Sequence, residues 1–94
     1  MARDDALTEA ELQQMQARCE AATKGPWRSL VEGRDHLSGS DFIRTAGEDI
    51  ELSGATTADQ DFIAHARQDV PRLIAEIRRL RRSSSVEEEK GVGC

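Results

Sequence analysis

Aromatic side chains are nearly missing from this chain: Trp27, Phe42 and Phe62 are the only three, and tyrosine does not occur. A core without large rings has to be built from aliphatic residues, which suits packed helices better than a β-sandwich. Long apolar runs are missing too. Nothing approaches the roughly 18 consecutive apolar residues that span a bilayer. The stretch from Met1 to Leu7 has no apolar block of the signal-peptide kind. The expectation is a cytoplasmic protein with no membrane partner. Cysteine is confined to Cys19 and Cys94, unlike the dense spacing of disulfide-stapled secreted domains. Cys19 reads as a small core residue. Cys94 reads as a free thiol whose neighbours Gly91, Val92 and Gly93 form no prenylation box.

Positive charge is in deficit, with 13 basic against 18 acidic residues and a net charge of −5. Only the stretch 55–82 is basic, and its charge gathers in Arg78, Arg79, Arg81 and Arg82. An acidic chain with one basic helix end makes a poor general ligand for nucleic acid, because phosphate contacts need a field that nearby carboxylates do not cancel. At 94 residues and 37% hydrophobic content the chain supports one small domain, and such a domain buries a limited share of its surface. Association between subunits would supply burial that the core cannot.

What is present reads as helix, meander, helix. Thr8 and Glu11 form a capping box, flanked by Leu7 and Leu12 as a hydrophobic staple. Leu12, Met15, Cys19 and Ala22 then repeat at helical spacing. Gly25 is placed to take a left-handed terminal position, and Pro26 forbids continuation. From 27 to 54 the period changes. Ile50 and Leu52 alternate with Asp49, Glu51 and Ser53 as in a half-buried strand. Trp27 to Glu32 and Phe42 to Thr45 are weaker strand candidates, and Ala46-Gly47-Glu48 is a hairpin turn. Thr57 and Gln60 offer a second capping box. The predicted fold is α+β: an N-terminal helix, a two- or three-stranded antiparallel meander and a long C-terminal helix. Pro71 should kink that helix or break it, with Asp69 as a new cap. Residues 1–82 form the single domain, and residues 83–94 are expected to be a disordered acidic tail.

The C-terminal helix carries the strongest pattern in the chain. Ile63, Ala66, Val70, Leu73, Ile77 and Leu80 recur at alternating steps of three and four, which places them on one helix face as an oligomer seam. Phe62 and Ile74 widen it. A homo-oligomer is therefore expected. The arginines that close the stripe complement the negative end of the helix dipole.

Chemistry-bearing constellations are sparse. His36 and His65 match no metal-ligand spacing, and His65 reads as a surface pair with Asp61. No serine sits at a nucleophile elbow or beside a base. Neither a metal, a cofactor nor a catalytic residue is expected. The best candidate site is the polar loop and its flanks. Arg34, Asp35, His36, Ser38 and Ser40, with Arg28 and Arg44 from adjoining strands, could grip a phosphate or carboxylate bidentately or meet a partner protein.

Two segments carry a resemblance: residues 17–27, which hold Ala21-Ala22-Thr23-Lys24-Gly25-Pro26-Trp27, and residues 58–80, which hold Phe62-Ile63-Ala64-His65-Ala66-Arg67-Gln68-Asp69-Val70-Pro71. Together they resemble a family of small, mostly uncharacterised proteins of actinobacteria and their phages. Its members join an Ala-Ala-Thr-x-Gly-Pro-Trp block to a Phe-Ile-Ala-x-Ala-Arg-x-Asp-Val-Pro helix through a variable β region. The resemblance implies provenance, and a variable middle where members acquire partners. It supplies no catalytic residues. The functional expectation is a non-enzymatic accessory protein of phage or mobile-element type, acting on a host protein in counter-defence or regulation. The alternative is a binder that sequesters a phosphorylated nucleotide at an arginine-bearing pocket, within one chain or between subunits. A small hydrolase ranks third.

Overall fold

The computed structural model describes residues 6–93, with side chains described as far as Ser83. The order of elements is α1 (Glu9–Ala21), β1 (Arg28–Leu30), β2 (Phe42–Arg44) and α2 (Thr57–Gly93). The fold is thus α+β, with helices at both ends of a small antiparallel sheet.

α1 opens on the expected box. The Glu11 N–H donates to Thr8 Oγ1 at 3.0 Å, and the Thr8 N–H donates to Glu11 Oε1 at 2.9 Å. Its exit differs from expectation. The helix stops at Ala22, which is extended and donates its N–H to Arg18 O at 3.2 Å. Gly25 does not take a left-handed conformation. The carbonyls beyond the helix find partners elsewhere, so no left-handed turn is needed to satisfy them. Thr23 O accepts from Trp27 Nε1 and Arg67 Nε, both at 3.0 Å, and Lys24 O accepts from the Ala46 N–H at 3.1 Å.

β1 and β2 pair antiparallel with Arg28 opposite Arg44, Ser29 opposite Ile43 and Leu30 opposite Phe42. The third predicted strand shrinks to one bridge. Ile50 and Ile43 exchange both backbone hydrogen bonds, at 2.8 and 2.9 Å, and pairing stops there. The turn before it is fixed by Thr45, whose hydroxyl donates to Glu48 O and accepts from the Gly47 N–H. A two-stranded ribbon of this length is not stable alone in water and needs a cover.

α2 is the cover. Its cap is Thr56 with Asp59, one residue earlier than Thr57 with Gln60: the Asp59 N–H donates to Thr56 Oγ1 and the Thr56 N–H to Asp59 Oδ2, each at 3.0 Å. The shift releases Gln60 for the interior. Gln60 is 4% exposed, and its Nε2 donates to Ser29 Oγ at 2.9 Å, Phe42 O at 3.2 Å and Leu30 O at 3.4 Å. Two turns on, Gln68 acts as a surrogate strand. Its Oε1 accepts from the Trp27 N–H at 2.6 Å while its Nε2 donates to Trp27 O at 3.2 Å. These two amides fasten the ribbon to the helix and satisfy backbone groups that burial would otherwise leave unpaired.

The helix runs unbroken through Pro71. A restart at Asp69 does not occur, so the missing N–H is absorbed inside a helix held by packing on its flanks. The core is small: Leu12, Leu30, Ile43, Ala64 and Ile74. The face of α2 that buries is therefore Gln60, Ala64 and Ile74. The seam residues lie on the adjoining flank, where Ile63, Val70, Leu73 and Leu80 are exposed and Ala66 and Ile77 half-buried. Leu73 is 60% exposed and Phe62 is 74% exposed, so neither belongs to the interior of one protomer. The backbone of α2 continues helical to Gly93, through Glu87, Glu88, Glu89 and Lys90, which favour helix and include no breaker. The expectation of a disordered tail over 83–94 falls largely on residues whose side chains, beyond Ser83, lie outside the described residues.

Candidate functional site

The loop between the strands is laced together by its own polar groups. The Asp35 carboxylate accepts from the Val31 N–H at 2.8 Å, and the Asp35 N–H donates back to Val31 O at 2.8 Å. The Gly33 N–H reaches His36 O at 2.8 Å, and the positive φ of 84° at Gly33 permits that turn. Further on, the Glu32 N–H donates to Asp41 Oδ1 at 2.8 Å and the Gly39 N–H to Glu32 Oε1 at 2.6 Å. Ser38 offers both its N–H and its hydroxyl to His36 Nδ1, at 3.0 and 2.7 Å. The His36 ring leans on Phe42 with centroids 5.2 Å apart. Bonds of this density fix the loop backbone before any partner arrives. At its tip stands Leu37, 86% exposed.

Arg34 anchors the loop to α2. Its Nη1 and Nη2 donate to the two Asp61 carboxylate oxygens at 2.9 and 3.1 Å, and its Nε donates to Asp35 at 2.9 Å. The hydrogen bonds from Arg34, with a further one from Ser29, hold the Asp61 carboxyl at about 2, well below its ordinary value. The Arg34 guanidinium is pushed upward by the same bonds, and the Asp35 carboxyl is lowered first by Arg34 and then by the Val31 N–H. Asp61 is thereby taken from His65, whose Nδ1 instead meets the Asp61 backbone oxygen at 2.9 Å.

The expected arginine cluster does not form. Arg34 turns to α2, while Arg28 and Arg44 face each other at the other end of the ribbon. The Arg44 guanidinium carbon lies 6.0 Å from the centre of the Phe42 ring. Among the described residues neither Arg28 nor Arg44 has an ion-pair partner. A fork already holding Asp61 bidentately is not free for a phosphate. Ser40 lines a different hollow, with the acidic Glu32, Asp41 and Glu51.

Positive charge converges elsewhere, in a groove of about 430 Å³ between α1 and α2. Lys24, Arg67, Arg78 and Arg82 line it with one carboxylate, Glu20, over Cys19 and Ile74. Arg78 spans the two helices, with Nη1 donating to Gln16 Oε1 at 2.5 Å and Nη2 at 2.9 Å from the Glu9 carboxylate. Arg81 donates to Leu7 O at 2.7 Å. These arginines do not cap a helix end, because α2 runs beyond them; they hold the start of α1. The sequence signal for the groove was the helical spacing of Arg67, Arg78 and Arg82, which falls on the α1-facing side only once the register of α2 is known. Among the described residues, no three His, Cys, Asp or Glu side chains gather as a metal site, and no helix is long and apolar enough to cross a membrane. Comparison with protein-family models, curated proteins and solved structures finds no match to this chain.

Proposed function

We propose that this chain is a non-enzymatic accessory protein of phage or mobile-element type, cytoplasmic, which grips a partner protein with the loop 31–41 in counter-defence or regulation. The observation that carries the reading is Leu37, a large apolar side chain held out at the tip of a loop whose own hydrogen bonds fix its backbone. A rigid loop loses little entropy on binding, and an apolar tip gains by entering a pocket. The resemblance to actinobacterial and phage proteins supplies the choice of host. The test is capture from an actinobacterial extract by immobilised full chain, beside the Leu37→Ser variant. A polypeptide retained by the native chain and lost from the variant supports the reading. Equal retention by both, or none by either, overturns it.

A second reading rests on the groove between the helices. Lys24 and Arg82, with the unengaged nitrogens of Arg67 beside the Glu20 carboxylate, stand over an apolar floor and suit a small phosphorylated ligand such as a nucleotide. Such a ligand should raise the melting temperature by mass action. A panel of nucleotides that leaves it unmoved removes this alternative.

A further inference from the structure

We propose that the uncovered flank of α2 binds a second copy of this chain in parallel, forming a two-stranded coiled coil over residues 62–81. The surface is there in the protomer. Ile63, Val70, Leu73 and Leu80 stand exposed beside the half-buried Ala66 and Ile77, while α1 and the sheet take the neighbouring face. Its spacing is that of a heptad repeat in which Ile63, Val70 and Ile77 occupy the a positions and Ala66, Leu73 and Leu80 the d positions. β-branched residues at a with leucine at two of three d positions is the pattern that selects two parallel strands.

Charge selects the direction independently. Position g holds Phe62, Asp69 and Glu76, and position e holds Arg67, Ile74 and Arg81. In a parallel pair each g residue meets the e residue five further along the partner, so Glu76 meets Arg81 of the second copy, twice by symmetry, and Phe62 lies along the stem of Arg67. An antiparallel pair sets g against g and e against e. That would bring Asp69 against Glu76 and arginine towards arginine, with no attractive pair in return. Among the described residues Glu76 accepts from Arg79 alone, one hydrogen bond on each carboxylate oxygen, which leaves a lone pair on each, and Arg81 spends one guanidinium nitrogen on Leu7 O. Both have capacity left for the partner. The stripe is short, about 27 Å at the α-helical rise. Met15 and Trp27 border the same flank at Ile63, Ala66 and Val70 and extend the apolar area that a second helix would cover. The proposal does not depend on what the loop 31–41 binds.

The test uses the full chain. Sedimentation equilibrium should give two chains per particle. Arg81→Glu, which sets Glu76 against a glutamate on both sides, should raise the dimer dissociation constant about tenfold, and the double exchange Glu76→Arg with Arg81→Glu should restore it. An antiparallel pair predicts the opposite sign for the single variant, because Arg81→Glu would then face Arg67. As a readout that needs no affinity, Leu80→Cys in a chain with Cys19→Ala and Cys94→Ser should oxidise to a self-linked dimer, since d meets d only in the parallel arrangement. A monomer at a hundred times the working concentration, a tighter Arg81→Glu dimer, a larger oligomer, or failure of Leu80→Cys to cross-link each overturns the proposal. A monomer would leave the flank to some other protein.

Discussion

At the scale of single residues, the side chains that organise this protein are polar. Gln60 is enclosed and shares its two amide hydrogens among three acceptors on the ribbon. Gln60→Leu should cost about 1–3 kcal/mol in urea unfolding, because it leaves enclosed carbonyls without a donor while keeping the volume. A neutral effect would mean that the apolar contact alone holds the ribbon. Arg34 and Asp61 give a second prediction, in pH. The folded Asp61 carboxyl lies at about 2, below its ordinary 3.8, so its contribution to stability is complete above the ordinary value and is lost as pH falls towards about 2. Asp61→Asn should therefore flatten the stability profile across that acid window and leave the neutral-to-basic side parallel to the native profile. An unchanged acid limb would remove the Arg34 anchor from any role in stability.

At the scale of elements, the caps test the register of the long helix. Thr56→Ala should cost about 1 kcal/mol, whereas Thr57→Ala should fall among the small effects of exposed substitutions. The reverse order would restore Thr57 as the cap. The sequence offered Thr57, because Gln60 completes a capping box with it; the structure gives the cap to Thr56 with Asp59 and turns Gln60 inward. The capping box of α1 was fully readable, because all its partners lie within four residues. The end of α1 was not, since it depends on Arg67 and Ala46, which arrive from distant parts of the chain. The same holds for the third strand, where period-two alternation is present at Ile50 and Leu52 but only Ile50 finds a partner. Of the two outcomes expected at Pro71, a break with a restart at Asp69 does not occur, since α2 is one continuous helix packed against α1 and the ribbon.

For the loop, the residue types were found and their geometry was not. Arg28, Arg34 and Arg44 looked like one cluster because chain distance cannot tell which side of a ribbon each faces or that Asp61 would claim Arg34. Leu37 stood unremarked among polar neighbours. Its weight comes from the hydrogen bonds that make its loop rigid, and these involve the backbone at Val31, Glu32 and Gly39.

At the scale of the whole molecule, two apolar faces of α2 compete for meaning. A stripe repeating every three and four residues predicts burial but does not say whether the chain itself or a copy provides the cover. The structure divides them. Ala64 and Ile74 pack inside one protomer, and the seam remains outside. This division makes Leu12→Ala and Leu73→Ala behave differently in one experiment, thermal unfolding followed over a hundredfold range of protein concentration. Leu12 is fully buried, so its truncation should lower stability by about 2–5 kcal/mol at every concentration. Leu73 has its side chain in solvent, so its truncation should leave the dilute limit within about 0.5 kcal/mol of the native chain. It should abolish the rise of melting temperature with concentration that a dimer produces by mass action. If Leu73→Ala instead lowers stability equally at all concentrations, the seam belongs to the core of one protomer and the helix is rotated from its place here.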